Sequence, residues 1–337
     1  MAETRLNSDV EECSSLKKSK IEKENAIEND ASIHVDELCL SSFEVTRILQ
    51  NNCTRKQIFV EGTFKGRENP AIVLLEKKNF PAEEQILKKS FFTENSTIRK
   101  LYTNDVYGNY EYFPATEYNG LNATIIHPAT SKHIEKFRRK EMHIVDETYE
   151  LYQKITLPYI QANSFSLEWI YNILEHKSEM ENIVYEDSDK ECGFILITDL
   201  KWDGELGTLK LLALPFQKIG CIRDLNASHL PLLKNIRDAG TRAIAEKFNI
   251  PASQLRLYFH YQPSYYYLHV HFAYLMFEPP AIYVEKAHLL SVVIRNIELV
   301  PDYYQKAVLP FAIPEGEPLF KKFEEEGVLC ASKTKST

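Results

Sequence analysis

Residues 254–277, QLRLYFHYQPSYYYLHVHFAYLMF, constrain this chain more than any other stretch. Two aromatic, apolar runs flank Gln262-Pro263-Ser264, a turn signal, and predict a β-hairpin. Side chains alternate between the faces of a strand, so Tyr267, His269 and His271 share one face. Folding about Pro263-Ser264 sets His260 roughly across from Tyr267. Three of the ten histidines then converge on one patch. On spacing alone, three readings stay open. Imidazoles suit zinc or copper, although no CxxC, HExxH or nearby paired carboxylate completes a ligand set. A neutral imidazole can also attack phosphorus while a neighbouring imidazolium stabilises phosphate oxygens. The third reading is a strand whose histidines are satisfied by backbone groups.

Length and composition narrow the setting. A chain of 337 residues suggests two domains at ~100–200 residues each. An apolar share of 44%, with 12% aromatic, is enough to build cores. Cys13, Cys39, Cys53, Cys192, Cys221 and Cys330 show no paired spacing, which points to a reducing compartment and away from a disulfide framework. The N-terminus has no apolar signal region and no apolar run approaches a membrane span, so a soluble intracellular protein is expected. The net charge of −8 disfavours long nucleic acid and fits a short phosphorylated substrate held in a locally basic pocket.

Along the chain, residues 1–38 read as a disordered tail with a weak basic cluster, Lys17-Lys18-Ser19-Lys20. Residues 39–157 read as a β-rich domain with strands at Gln57–Val60, Ala71–Leu75, Tyr107–Phe113 and Ala123–His127. A helix capped by Ser131 is expected to run to about Gln153, with Ile134, Phe137, Ile144, Val145, Tyr149 and Tyr152 on one stripe. Lys132, Lys136 and Arg139 form a basic stripe, and Thr156-Leu157-Pro158 reads as a hinge. Residues 158–320 alternate helix and strand. Ser166 caps a short helix carrying Trp169, Ile170, Ile173 and Leu174, and Phe194–Ile197 and Lys210–Pro215 are strands. Ser228 caps a helix through Lys247, and Ala287–Leu299 is a last helix. Residues 321–337 read as a tail. The whole is an α+β pattern with a mainly antiparallel sheet.

The residues also carry a family resemblance. Tyr267-Leu268-His269-Val270-His271-Phe272 resembles the histidine-triad motif, with Tyr in place of its first His. Phe259-His260-Tyr261, Pro263-Ser264-Tyr265-Tyr266, Asp199-Leu200-Lys201-Trp202 and the stretch Ser166–Leu174 resemble the scavenger mRNA decapping enzymes of the histidine-triad superfamily. The similarity runs from about residue 40 to about residue 312.

The resemblance implies cleavage of the triphosphate bridge in 7-methylguanosine cap dinucleotides and short capped RNAs left by 3′-to-5′ decay. Neither a metal nor another cofactor is expected. His269 matches the nucleophile that forms a nucleotidyl-histidine, and His260 and His271 match its phosphate-contacting neighbours. Ser264 and Tyr265 match residues beside the triphosphate. Trp169 matches the aromatic stacked on the methylated base, and Glu179 the carboxylate on the guanine edge. Asp199 and Lys201 match ribose and phosphate contacts, and Lys286 stands where the family commonly has Arg. Asn104, Tyr107, Lys132 and Lys136 match residues by which the N-terminal domain closes over substrate. Thr198 stands where the family motif often has Pro. The family implies a homodimer that exchanges N-terminal elements, in cytoplasm and nucleus. Two other functions remain in play: a histidine-triad hydrolase of other nucleotides, and a cap-binding protein without catalysis.

Overall fold

The computed structural model describes residues 39–163, 165–200, 202–279 and 281–332. Lys201 and the 17–20 cluster therefore lie outside the described residues. The described chain forms two compact units that divide at Arg139/Lys140, not near Pro158 as the sequence suggests.

The first unit contains β1 (Phe43–Asn52), β2 (Gln57–Phe64), β3 (Pro70–Lys77), β4 (Thr97–Asn104), β5 (Tyr107–Phe113) and β6 (Leu121–Ile126). An antiparallel sheet runs β1-β2-β3-β6, and β4 pairs with β5 in a separate ribbon. The sheet buries Phe59, Phe64, Ile72 and Val73, and Phe137 stacks on Phe59 at 5.0 Å. Phe137 ends helix α1 (Ser131–Phe137), which Thr130 caps: its hydroxyl accepts from the His133 N–H at 3.4 Å.

The helix expected through Gln153 is therefore two elements and a strand. Beyond Phe137 the residues Arg138-Arg139-Lys140-Glu141 offer nothing apolar to extend the stripe. Arg138 turns extended, and the Arg139 N–H bonds to the Leu49 carbonyl at 3.0 Å. Strand β7 (Met142–Glu147) follows, burying Val145 and Glu147 and exposing Ile144. Helix resumes over residues 149–163, capped by the Thr148 hydroxyl. It is π-wound over Tyr152–Thr156 and α-helical over α2 (Leu157–Asn163). Pro158 stands inside this continuous helix, directly after the π-wound turn, where its missing N–H removes one helical hydrogen bond without ending the helix, so the expected hinge is helix.

The second unit holds α3 (Glu168–Leu174), β8 (Ile183–Asp187), β9 (Phe194–Thr198), β10 (Lys210–Pro215), α4 (Leu230–Phe248), β11 (Leu255–His260) and β12 (Val270–Tyr274). It continues through β13 (Ala287–Leu289), α5 (Leu290–Leu299), β14 (Leu309–Pro314) and α6 (Pro318–Glu325). Six antiparallel strands run β13-β11-β12-β10-β9-β8, and β7 pairs with β14. Residues 287–289 are thus strand, and the expected last helix begins at Leu290. Nor is 321 onward a tail at its start, because α6 buries Phe323 completely.

Alternation sorts the large sheet into two faces. Phe194, Leu196, Leu211, Ala213, Val270 and Phe272 pack under α4 and α5. The approach of α4 is close: a Cβ on Gly240 would meet the Phe272 ring at 2.7 Å, so only glycine fits there. The opposite face holds Ile195, Ile197, Leu214 and Tyr267 against Ile170 and Ile173 of α3. Register carries that face across the sheet. Ile197 pairs with Leu212, Leu212 with His271, and His271 with Tyr258. The histidines therefore lie on the α3 side. Among the described residues no helix is long and apolar enough to cross a membrane.

Candidate active site

Three imidazoles meet where β11 and β12 run side by side. The His260 and His271 rings lie 4.3 Å apart, and those of His269 and His271 4.9 Å apart. Tyr258 stacks on His271 at 5.0 Å and 13°. The convergence expected from sequence holds, but the register differs. Tyr258 pairs with His271, so residues 261–269 form a longer connection than a turn at Pro263-Ser264.

Backbone carbonyls fix two of the ring tautomers. His269 Nδ1 lies 2.7 Å from the Tyr267 carbonyl, and a carbonyl can only accept, so Nδ1 carries the proton. The lone pair is then on Nε2. His260 likewise bonds to the Ala281 carbonyl, from a left-handed residue with φ 65°. His260 Nε2 and His271 Nε2 are buried and find no hydrogen-bond partner among the described residues. Buried polar atoms rarely go unpartnered, and this pair marks a place built for a polar ligand.

Burial also keeps the rings uncharged. It pushes His260 down to about 3, helped by the nearby Lys286 ammonium. It drives His271 well below the usual range, and lowers His269 against the pull of the Tyr267 carbonyl and Asp199. The imidazolium neighbour expected from sequence is thus a neutral ring before any ligand arrives. The arrangement presents a neutral, tautomerically fixed nitrogen on His269, flanked by two lone-pair-bearing imidazoles with lysines close by. It suits attack at a phosphorus atom.

The other expected residues fall into groups. Ser264 and Tyr265 lie on the 261–269 connection, half-buried. Tyr265 meets the Trp169 ring edge-on at 5.3 Å. Trp169 is half-buried, and its Nε1 is buried without a hydrogen-bond partner among the described residues. Glu179 sits in a left-handed backbone position, φ 59°, uncommon for a residue with a side chain. Its carboxylate accepts from Asn182 Nδ2 at 2.6 Å. Asn182, Thr198, Asp199 and Leu200 line a cavity of about 380 Å³. Lys286 donates its backbone N–H to Tyr283 and accepts from the Tyr261 N–H. Asn104 and Tyr107 face each other at the tip of the β4–β5 ribbon in the first unit. Lys132 and Lys136 lie one turn apart on α1, whereas Arg139 has left the helix.

Sequence reasoning passed over Lys210, whose ammonium lies 3.7 Å from Asp199 and whose charge helps to depress His271. A lysine opening an otherwise apolar strand was the available signal. It also passed over Asn182. The Ala281 carbonyl left no trace in sequence, because the contact is made by backbone.

Two family models account for most of the chain. Residues 38–140 match "Scavenger mRNA decapping enzyme (DcpS) N-terminal", and residues 168–298 match "Scavenger mRNA decapping enzyme C-term binding". The chain belongs to the scavenger mRNA decapping enzyme family. An Ascaris suum protein named m7GpppX diphosphatase is 44% identical to it over 84% of this chain and 94% of that protein. The Bos taurus protein of the same name is 41% identical over 86% and 87%, and that of Homo sapiens 39% over 94% and 94%. The first family model ends where the two compact units divide.

Tyr267, which the resemblance sets in place of the first triad His, shares the histidine face but is part of the apolar cluster under α3. Its ring is buried and its hydroxyl donates to the Pro215 carbonyl at 2.7 Å. Only its carbonyl reaches the site. Tyr267→Phe should therefore cost ~1–3 kcal/mol of stability, because Pro215 O is left unpaired in a buried place. Its single-turnover rate should fall by about tenfold or less, one neutral hydrogen bond's worth. A variant as inactive as one lacking His269 would show that the phenol takes part in the chemistry.

Proposed function

We propose that this protein hydrolyses the triphosphate bridge of 7-methylguanosine cap dinucleotides and short capped RNAs. The observation that carries the reading is the His269 hydrogen bond to Tyr267 O, which commits the Nε2 lone pair to the ligand side. That nitrogen attacks the phosphorus nearest the methylated base. The bond from this phosphorus to the bridging oxygen breaks, and the oxygen leaves with the electron pair on a nucleoside diphosphate or diphosphate-ended RNA. Water then attacks the nucleotidyl-histidine, cleaving the P–N bond and releasing 7-methylguanosine monophosphate. His260, His271, Ser264, Tyr265, Lys201, Lys210 and Lys286 hold phosphate oxygens. Cationic donors stabilise the transferring group as a metal would elsewhere. The name shared by the relatives, m7GpppX diphosphatase, supports this activity for the chain.

Trp169 stacks on the methylated base, with Glu179 on the guanine edge and Asp199 on the ribose. Incubation with labelled methylated and unmethylated cap dinucleotide, followed by product identification, tests the reaction. Equal turnover of both would favour a general nucleotide hydrolase, and tight binding without products a cap-binding protein. Trp169→Ala should weaken methylated cap by ~1–3 kcal/mol, the range for base stacking. It should weaken unmethylated cap less, because only the methylated base is cationic and gains a cation–π attraction. Equal losses for the two ligands would make Trp169 a core residue.

A homodimer with exchanged N-terminal elements goes with this reading. An isolated two-stranded ribbon is marginal in water, yet β4–β5 exposes Ile98, Leu101, Tyr102 and Tyr107. A monomeric mass by light scattering would exclude it. Asn104, Tyr107, Lys132 and Lys136 are the residues by which the first unit reaches substrate.

A further inference from the structure

Behind the histidines, and outside every role assigned above, lies a buried ion pair. Glu147, the last residue of β7, and Arg223 have no exposed side-chain surface. An unpaired carboxylate in such a place would be costly, and this one is saturated. Its Oε1 accepts from the Thr156 hydroxyl and from Gln262 Nε2 at 3.3 Å. Its Oε2 accepts from the Tyr261 hydroxyl and from Arg223 Nη2 at 3.0 Å. Four donors fill the roughly four lone-pair sites of an ionised carboxylate.

Arg223 is equally committed. Nη2 also donates to Glu147 O at 2.6 Å, Nη1 to Tyr304 O at 3.0 Å and Ala307 O at 2.7 Å, and Nε to the Tyr261 hydroxyl at 3.1 Å. All five guanidinium N–H groups are used.

Two of the residues tied to this pair, Tyr261 and Gln262, open the connection that leads from His260 to His269. A third, Tyr266, donates its hydroxyl to Gln262 Oε1. The connection needs such anchors. Its backbone is pinned at its ends, Tyr261 N–H to Lys286 O at 2.8 Å and Leu268 N–H to Ile219 O at 2.7 Å. Between them, among the described residues, the backbone of 262–267 makes no backbone–backbone hydrogen bond. Side chains must set its shape, and Ser264, Tyr265 and the Tyr267 carbonyl all hang on that shape. Buried ion pairs are poor stabilisers compared with apolar residues of the same volume, so a geometric use accounts better for this one.

We propose that Glu147 and Arg223 are positioning residues for the reaction: through Tyr261, Gln262 and Tyr266 they hold the 261–269 connection so that Ser264, Tyr265 and the His269 ring meet the phosphates. The proposal rests on the function given above. Three single variants of the full chain test it. Tyr261→Phe removes the hydroxyl shared by Glu147 and Arg223. Tyr266→Phe releases Gln262 while leaving the ion pair untouched, and so still reports if Tyr261→Phe fails to fold. Asn235→Ala is the control; it breaks half-buried bonds to Asp187 and Cys192 away from the connection.

At temperatures where all are folded, both Tyr variants should lose ~10–100-fold in kcat for methylated cap dinucleotide, the scale of an ångström-sized misplacement. KM should stay within about threefold, because the interactions lost are those made in the transition state. Asn235→Ala should lower Tm with kcat unchanged. In histidine-labelled protein, the His269 Nδ1–H resonance should move in Tyr266→Phe and hold still in Asn235→Ala. That resonance needs no substrate, so it judges the positioning proposal even if wild-type protein leaves the cap intact, an outcome that would fail the functional reading instead. Tyr variants whose kcat falls no further than that of Asn235→Ala, or an unmoved resonance, would overturn the proposal.

Discussion

His269→Asn should bind methylated cap dinucleotide and cleave it at least about a thousandfold more slowly than wild type, the scale of nucleophile deletions elsewhere. Asparagine keeps a polar group near the Tyr267 carbonyl but offers no nitrogen lone pair to phosphorus, so the covalent step has no partner. Binding survives because Trp169, Glu179 and the lysines are untouched. The wild-type pH profile should agree. The His269 pKa is lowered by burial, so the nucleophile stays unprotonated to below its ordinary pKa, and the acid limb of turnover should lie below pH ~6.5. Single-turnover rates under saturating cap, beside equilibrium binding of the same variant, make the measurement. Turnover within tenfold of wild type would remove His269 from the chemistry.

Arg223→Met should be the most damaging change to stability, costing about 3–5 kcal/mol, the usual penalty for stranding one member of a buried ion pair. Glu147, whose pKa burial already raises, would lose the guanidinium that holds it down and have to take up a proton, and the Tyr304 and Ala307 carbonyls would lose their donor. For a unit of this size Tm moves by roughly 2–4 °C per kcal/mol, so the loss should be plain in a thermal or denaturant melt. Removing both charges, as in Glu147→Leu with Arg223→Met, should recover much of it, because no charge then remains stranded. A loss below about 1 kcal/mol for Arg223→Met alone would mean that water or another cation compensates Glu147.

A short apolar run could be read directly: Lys210–Pro215 has the bounds that the sequence suggests. So could the meeting of His260, His269 and His271, because period-two spacing fixes a face whatever the length of the connection. The register could not. Tyr261 and Gln262 look like the entrance to a turn, yet both are drawn into a buried polar network whose other members, Glu147 and Arg223, are far away in sequence. The helix expected over 131–153 failed for a related reason. Its apolar stripe was assembled from α1, β7 and the helix after Thr148, three elements whose apolar residues, the exposed Ile144 among them, happened to match a 3.6-residue period. Nothing local distinguishes Val145 on a strand from Val145 on a helix; pairing with Phe311 on β14 decides it. Tyr267 was placed on the correct face, but the acceptor of its hydroxyl, a carbonyl on β10, is a product of tertiary packing.

The desolvated imidazoles have a consequence for how the site takes its ligand. With His260 near 3 and His271 well below its usual range, both rings are uncharged at neutral pH. A triphosphate entering beside them brings several negative charges into a poorly hydrated space, and negative charge raises the proton affinity of a facing imidazole. Ligand capture should therefore draw protons out of the buffer. The apparent heat of binding would scale with the ionisation enthalpy of that buffer, and affinity would weaken as the solution becomes more alkaline. Protons so taken up from solvent would join the lysine ammoniums as donors to the phosphate oxygens.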